Sequence, residues 1–113
     1  MAFGVNASLA ALFTFGGKLA NIAGNVADVN TRGYTKTVAT ITEDGVGLPE
    51  LDVKESDTPG ALVQEDGITQ ETSNVDLAEE LPQMMVAQRG YEANIKALKA
   101  QGDLLKSTLE ILT

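Results

Sequence analysis

Two runs of largely apolar residues, one towards each end of the chain, advance by four and then three residues without a break, and this constrains the fold more than any other feature. In the first, Val5, Leu9, Leu12, Gly16, Leu19, Ala23 and Val26 hold the stripe. In the second, Leu77, Leu81, Met84, Gln88, Tyr91, Ile95, Leu98, Gly102, Leu105, Leu109 and Leu112 hold it, and only Gln88 and Gly102 interrupt its apolar character. Such steps keep side chains on one side of an α-helix that coils around a neighbour. The two stripes predict an antiparallel helix pair, with Gly16 and Gly102 allowing close approach.

Ser73 with Asp76 three residues on signals the start of the second helix as an approximate capping box, with Asn74 as the alternative cap. Pro82 removes a backbone donor and crowds the preceding turn, which implies a kink near residues 78–82 or a helix that begins there. Between the helices, residues 34–41 alternate in strand fashion, and residues 51–53 and 61–63 are short strand candidates. Asp44-Gly45, Pro59-Gly60 and Asp66-Gly67 supply turns. The expected fold is mainly α: an antiparallel two-helix coiled-coil hairpin from the terminal segments, 1–33 and 73–113, with a short extended or β-hairpin insertion at 34–72.

Charge follows the same division. Residues 33–72 carry Lys36 and Lys54 against nine acids, so most of the net charge of −8 lies in the middle and both terminal segments are nearly neutral. This balance excludes nucleic acid, which needs a basic footprint, and attraction to anionic membrane surfaces. No stretch of eighteen apolar residues offers a membrane span. The run 9–15 lacks the preceding bases and following cleavage pattern of a signal peptide, so a leader that is cut away is not expected.

The chain has neither histidine nor cysteine, which removes nucleophile–histidine pairs and the usual zinc and redox-metal ligands. Glu79-Glu80 and Glu43-Asp44 are adjacent acids that read as solvated surface. Gly16-Gly17-Lys18 lacks the earlier glycine of a phosphate loop, because that position is Leu12. The expectation is no enzyme, no catalytic residue, no cofactor and no metal.

Residues 21–34, NIAGNVADVNTRGY, form a segment rich in small and amide side chains that reads as a helix stopped by Gly33. It resembles the N-terminal signature of flagellar rod, hook and hook-associated proteins, A-N-N-I-A-N-x-x-T-x-G-[YF]. Residues 73–80, SNVDLAEE, followed by residues 87–94, AQRGYEAN, are similar to the C-terminal motif of the same family. Asp28, Arg32 and Pro82 depart from the family's usual residues at their positions. The short middle looks most like the small proximal-rod proteins.

The resemblance implies a structural subunit of the bacterial flagellar basal-body rod, located in the periplasm-spanning rod. Its implied partners are other rod subunits, itself and the flagellar export apparatus, with no nucleic acid and no membrane insertion. A cytoplasmic helical-hairpin adaptor or chaperone-like binding module is the alternative. Beside the main stripes run Phe15, Ile22 and Val29, and Ala97, Leu104 and Ile111, which call for a second partner. The expected assembly interface is Leu9, Leu12, Phe15, Leu19, Ile22, Asn25, Val26, Val29, Gln88, Tyr91, Asn94, Ile95, Leu98, Leu104, Leu105, Leu109 and Ile111.

Overall fold

The structure is a computed structural model that describes residues 2–112; Met1 and Thr113, the outermost residues of the expected terminal segments, lie outside the described residues. Its elements run α1 (Ala2–Ala27), β1 (Thr37–Glu43), β2 (Pro49–Glu55), β3 (Leu62–Glu65), β4 (Ile68–Glu71) and α2 (Leu77–Leu112). The strands form two separate antiparallel hairpins, β1 with β2 and β3 with β4.

The expected two-helix coiled-coil hairpin with a simple insertion is therefore corrected to a helix–strand–helix arrangement with two small sheets. One reason is that the middle is not a passive excursion. Ala39 of β1 is buried, Thr14 Oγ1 donates to the Pro49 carbonyl at 3.3 Å, and Leu51 lies so close to Gly17 that a Cβ there would meet its Cδ2 at 2.7 Å. The β1–β2 hairpin thus takes one side of α1 as its support, which a two-stranded sheet needs in order to persist in water. The other reason is that the residues buried along the helices are mostly small or polar, Ser8, Ala11, Asn25, Glu80 and Ala87 among them.

Turn chemistry fixes both hairpins. Asp44 Oδ1 accepts from the Val46 and Leu48 amides at 2.8 and 2.9 Å, organising the β1–β2 loop. Asp66 and Gly67 have φ of 54° and 78°, the paired positive values of a two-residue turn whose twist matches its strands. The return strand β4 has no counterpart among the sequence-level strand candidates, and every residue in it is exposed.

Helix ends also differ from expectation. α1 stops at Ala27 rather than at Gly33, and Asp28, Val29 and Thr31 make turn hydrogen bonds. Gly33, at φ 72°, instead donates its N–H to Glu71 O at 2.8 Å, tying the chain after α1 to β4. Asp76 is the cap of α2: its Oδ1 accepts from the Ala78 amide at 2.9 Å, and its carbonyl accepts from Glu79 and Glu80. Ser73 Oγ accepts from Val75 N instead. Pro82 lies inside an unbroken α2, early enough that it deprives only the Ala78 carbonyl of a donor.

The molecule measures 78 × 26 × 15 Å. Its thinnest dimension is little more than the roughly 10–12 Å diameter of a single helix, so the helices lie in a layer too thin to bury both of its faces.

Candidate functional site

Contacts between the helices run antiparallel. Gly4 and Ser8 meet Gln101, Phe15 meets Gly90, Gly16 lies against Tyr91, whose ring would be 3.6 Å from a Cβ there, and Asn25 reaches Glu80 at 3.3 Å. On α1 the buried residues include Ser8, Ala11, Ile22 and Asn25, and on α2 they are Glu80 and Ala87. Most of these seam positions sit one residue before the leucine stripes and are small or polar. Backbones approach closely there: a Cβ on Gly90 would lie 2.6 Å from the Phe15 ring.

One step along a helix is a rotation of about 100°, so the stripes turn away from the seam. Because the helices are antiparallel, positions one residue beyond the seam point to the same side on both. The β1–β2 hairpin occupies the other side of α1, through Thr14, Gly17 and Asn21. One face of the layer thus carries both stripes, with Leu9, Leu77, Leu81, Ile95, Leu105, Leu109 and Leu112 exposed and Leu12, Leu19, Val26, Met84, Tyr91 and Leu98 half-buried.

The sequence-predicted interface residues divide accordingly. Ile22 and Asn25 are buried; Leu12, Phe15, Leu19, Val26, Val29, Tyr91, Asn94 and Leu98 are half-buried. Leu9, Gln88, Ile95, Leu104, Leu105, Leu109 and Ile111 are exposed. The structure brings Phe15, Ile22, Asn25 and Tyr91 to the seam and leaves the exposed seven on open surface. Asn94 donates within its own helix, to Gly90 O at 2.8 Å.

At one end of the seam, amides from α1 hold the first residue of β1. Asn25 Nδ2 donates to the Thr37 carbonyl at 2.8 Å, and the Thr37 amide donates to Asn25 Oδ1 at 3.1 Å, so this side chain copies a neighbouring strand. Asn21 Nδ2 donates to the same carbonyl at 2.9 Å and its Oδ1 accepts from Thr37 Oγ1. Asn25 Nδ2 also reaches Glu80 Oε1, while Oδ1 accepts from the Tyr34 hydroxyl at 2.9 Å. Lys36 pairs with Glu79 at 3.3 Å and its amide donates to Asn74 Oδ1 at 2.6 Å. The cluster clamps α1, β1 and the start of α2 at a single point.

Sequence reasoning missed Thr37 and Glu80 as members of this clamp. The signal available was the i,i+4 spacing of Asn21 and Asn25, which sets both amides on one face of a helix. Glu80 corrects the reading of Glu79-Glu80 as solvated: it is 6% exposed, while Glu79 is open to solvent.

Burial raises the Tyr34 phenol above its ordinary value of 10.0, and the charges of Asp28 and Glu80 push the same way. A raised value means that the folded chain holds this proton more tightly than the unfolded one. The stability it confers is complete below pH 10.0 and falls as pH rises through the folded value. In urea titrations above pH 10.0, wild type is expected to lose stability faster than Tyr34→Phe; parallel losses would remove Tyr34 from the clamp.

Chemically, the cluster spends its donors and acceptors on the protein itself. Among the described residues no group of side chains is suited to hold a metal ion, and no helix is long and apolar enough to cross a membrane.

Residues 69–111, β4 through nearly all of α2, match the family model described as flagellar basal body rod FlgEFG protein C-terminal. The flagellar hook protein FlgE of Escherichia coli strain K12 and of two Salmonella strains, typhimurium and typhi, is 44% identical over 41 residues. These matches take in 36% of this chain and about a tenth of the length of each relative.

Proposed function

We propose that this chain, a member of the flagellar rod and hook protein family, is a structural subunit of the basal-body rod that assembles by packing its terminal helices against neighbouring subunits. The observation that carries the reading is the family match over residues 69–111 on a helix whose apolar stripe is exposed at Leu77, Leu81, Ile95, Leu105, Leu109 and Leu112 in the single chain. An uncovered apolar face of that extent marks an interaction surface in a chain whose described residues include no helix long and apolar enough to cross a membrane. Its family is one of structural flagellar components and not of enzymes.

The rod is favoured over the hook by the short middle, which holds only two small hairpins and resembles the proximal-rod proteins. Other rod subunits, further copies of the chain and the flagellar export apparatus are its proposed partners.

Purified hook–basal bodies test this reading. Mass spectrometry is expected to recover the chain from them, and electron microscopy of a deletion strain is expected to find rods absent or truncated. Complete rods and filaments without the gene, or a chain confined to the cytosol, would overturn it.

A further inference from the structure

We infer that the open edge of β2 takes up an extended basic segment of a different protein as a third strand, one in which apolar residues alternate with lysine or arginine. The inference concerns the middle of the chain and does not rest on the rod-subunit reading above.

The first observation is which backbone groups are free. The Ser56 amide donates to Lys36 O at 2.9 Å and the Asp44 amide to Leu48 O at 2.8 Å. Pairing in an antiparallel ladder alternates, so between these ends Val38 with Lys54, Thr40 with Asp52 and Thr42 with Glu50 join the strands. Leu51, Val53 and Glu55 therefore turn their N–H and C=O groups away from β1. The matching edge of β1 is closed where it begins: Asn25 takes both backbone groups of Thr37, and Ala39 is buried. A free edge of this kind is a template for strand addition, in which main-chain hydrogen bonds hold the incoming segment and its alternate side chains select it.

The second observation is what flanks the edge. On the side of α1, Val53 is 49% exposed, and Phe13, one helical turn before the Gly17 that Leu51 touches, is 80% exposed. Glu50 and Asp52 alternate with them on the opposite side. Residues 37–55 hold Glu43, Asp44, Glu50, Asp52 and Glu55 against Lys54, and that lysine already pairs with Asp52 at 3.4 Å. Charge thus rejects a second copy, whose own β2 would set acids against acids. It selects a strand with bases towards Glu50 and Asp52 and apolar residues towards Val53 and Phe13.

The test titrates the full chain with a short peptide of alternating valine and lysine and follows amide exchange by NMR. Binding is expected to slow exchange at Leu51, Val53 and Glu55, and to leave Asp52 and Lys54, already paired with β1, nearly unchanged. Val53→Pro removes one outward donor and no bond to β1, and Glu50→Lys with Asp52→Lys reverses the charge. Circular dichroism checks that both variants are folded. Each is expected to weaken binding about tenfold, and the same peptide with glutamate in place of lysine is expected not to bind.

No binding of the lysine peptide, protection that misses Leu51, Val53 and Glu55, equal binding of the glutamate peptide, or an unchanged affinity in either folded variant would overturn the inference. Recovery of the chain from purified basal bodies bears on the rod-subunit reading alone, so the two fail separately.

Discussion

Replacing Asn25 with Leu is expected to remove about 3–5 kcal/mol of folding stability, a large share of the roughly 5–15 kcal/mol that holds a domain together. Leu has the branched shape of Asn but is larger, so in this fully buried position overpacking adds to the loss. The larger part of the loss is that the Thr37 amide, the Tyr34 hydroxyl and the buried Glu80 carboxylate all lose a partner, and the Thr37 carbonyl keeps only Asn21. Asn21→Leu is expected to cost less, about 1–2 kcal/mol, because Asn21 is half-buried and its loss leaves the Asn25 bonds in place.

Asn25→Asp separates hydrogen bonding from charge. It keeps both acceptors, loses both donations and sets a carboxyl beside Glu80. Burial and that neighbour raise the introduced carboxyl above the ordinary value of about 3.9. The folded variant then holds a proton that the unfolded chain releases, so relative to wild type it is least destabilised in acid and loses stability as pH rises. Urea unfolding of the three variants at pH 4 and pH 7 checks the series; an Asn25→Leu loss under 1 kcal/mol would mean that the clamp does not hold the fold.

The second large effect is at Gly90. A β-carbon there would meet the Phe15 ring at 2.6 Å, so Gly90→Leu forces the helices apart at mid-seam. Glycine in a helix interior is unfavourable by about 1 kcal/mol, and the substitution recovers that; overpacking costs about 1–3 kcal/mol and outweighs it where a large side chain must be accommodated. The expected net loss is about 2 kcal/mol. Phe15→Ala alone also destabilises, by leaving a gap, but the double variant is expected to be more stable than the two single losses predict, with a coupling of at least 1 kcal/mol. Additive losses would show that the two residues do not share the seam.

Helix existence was legible in the sequence because two sustained periodic runs leave little room for anything else. Helix rotation was not. A stripe of leucines with period 3.5 looks the same whether it faces the partner helix or solvent, and here the neighbouring positions, Ser8, Ala11, Ala87 and Gly90, fill the seam because their small size lets the backbones approach. The pattern alone therefore reads as a coiled-coil seam, whereas the structure turns its leucines towards the more open face.

The clamp was half legible. Asn25 and the amide-rich run around it stood out, but its partner Thr37 is an ordinary strand residue whose backbone does the work, and backbone donors have no sequence signature. Glu80 was hidden for a different reason: two adjacent acids suggest solvent, and only a helix start that turns one inward and the other outward distinguishes them. The β1–β2 hairpin was anticipated as extended chain, yet its docking on α1 depends on the bare surface of Gly17, which no local pattern announces.

The central claim is that the small and polar seam joins the helices while the leucine stripes face outward. Since the chain has no cysteine, single cysteines placed at Leu9, Ile95, Ile22 and Ala87 report the rotation of each helix through their rate of thiol labelling, measured in chain dilute enough to be monomeric. Leu9→Cys and Ile95→Cys are predicted to react nearly as fast as an unfolded control, and Ile22→Cys and Ala87→Cys to be strongly protected. Protection at the first pair with rapid labelling at the second would contradict the account and return the leucines to the seam.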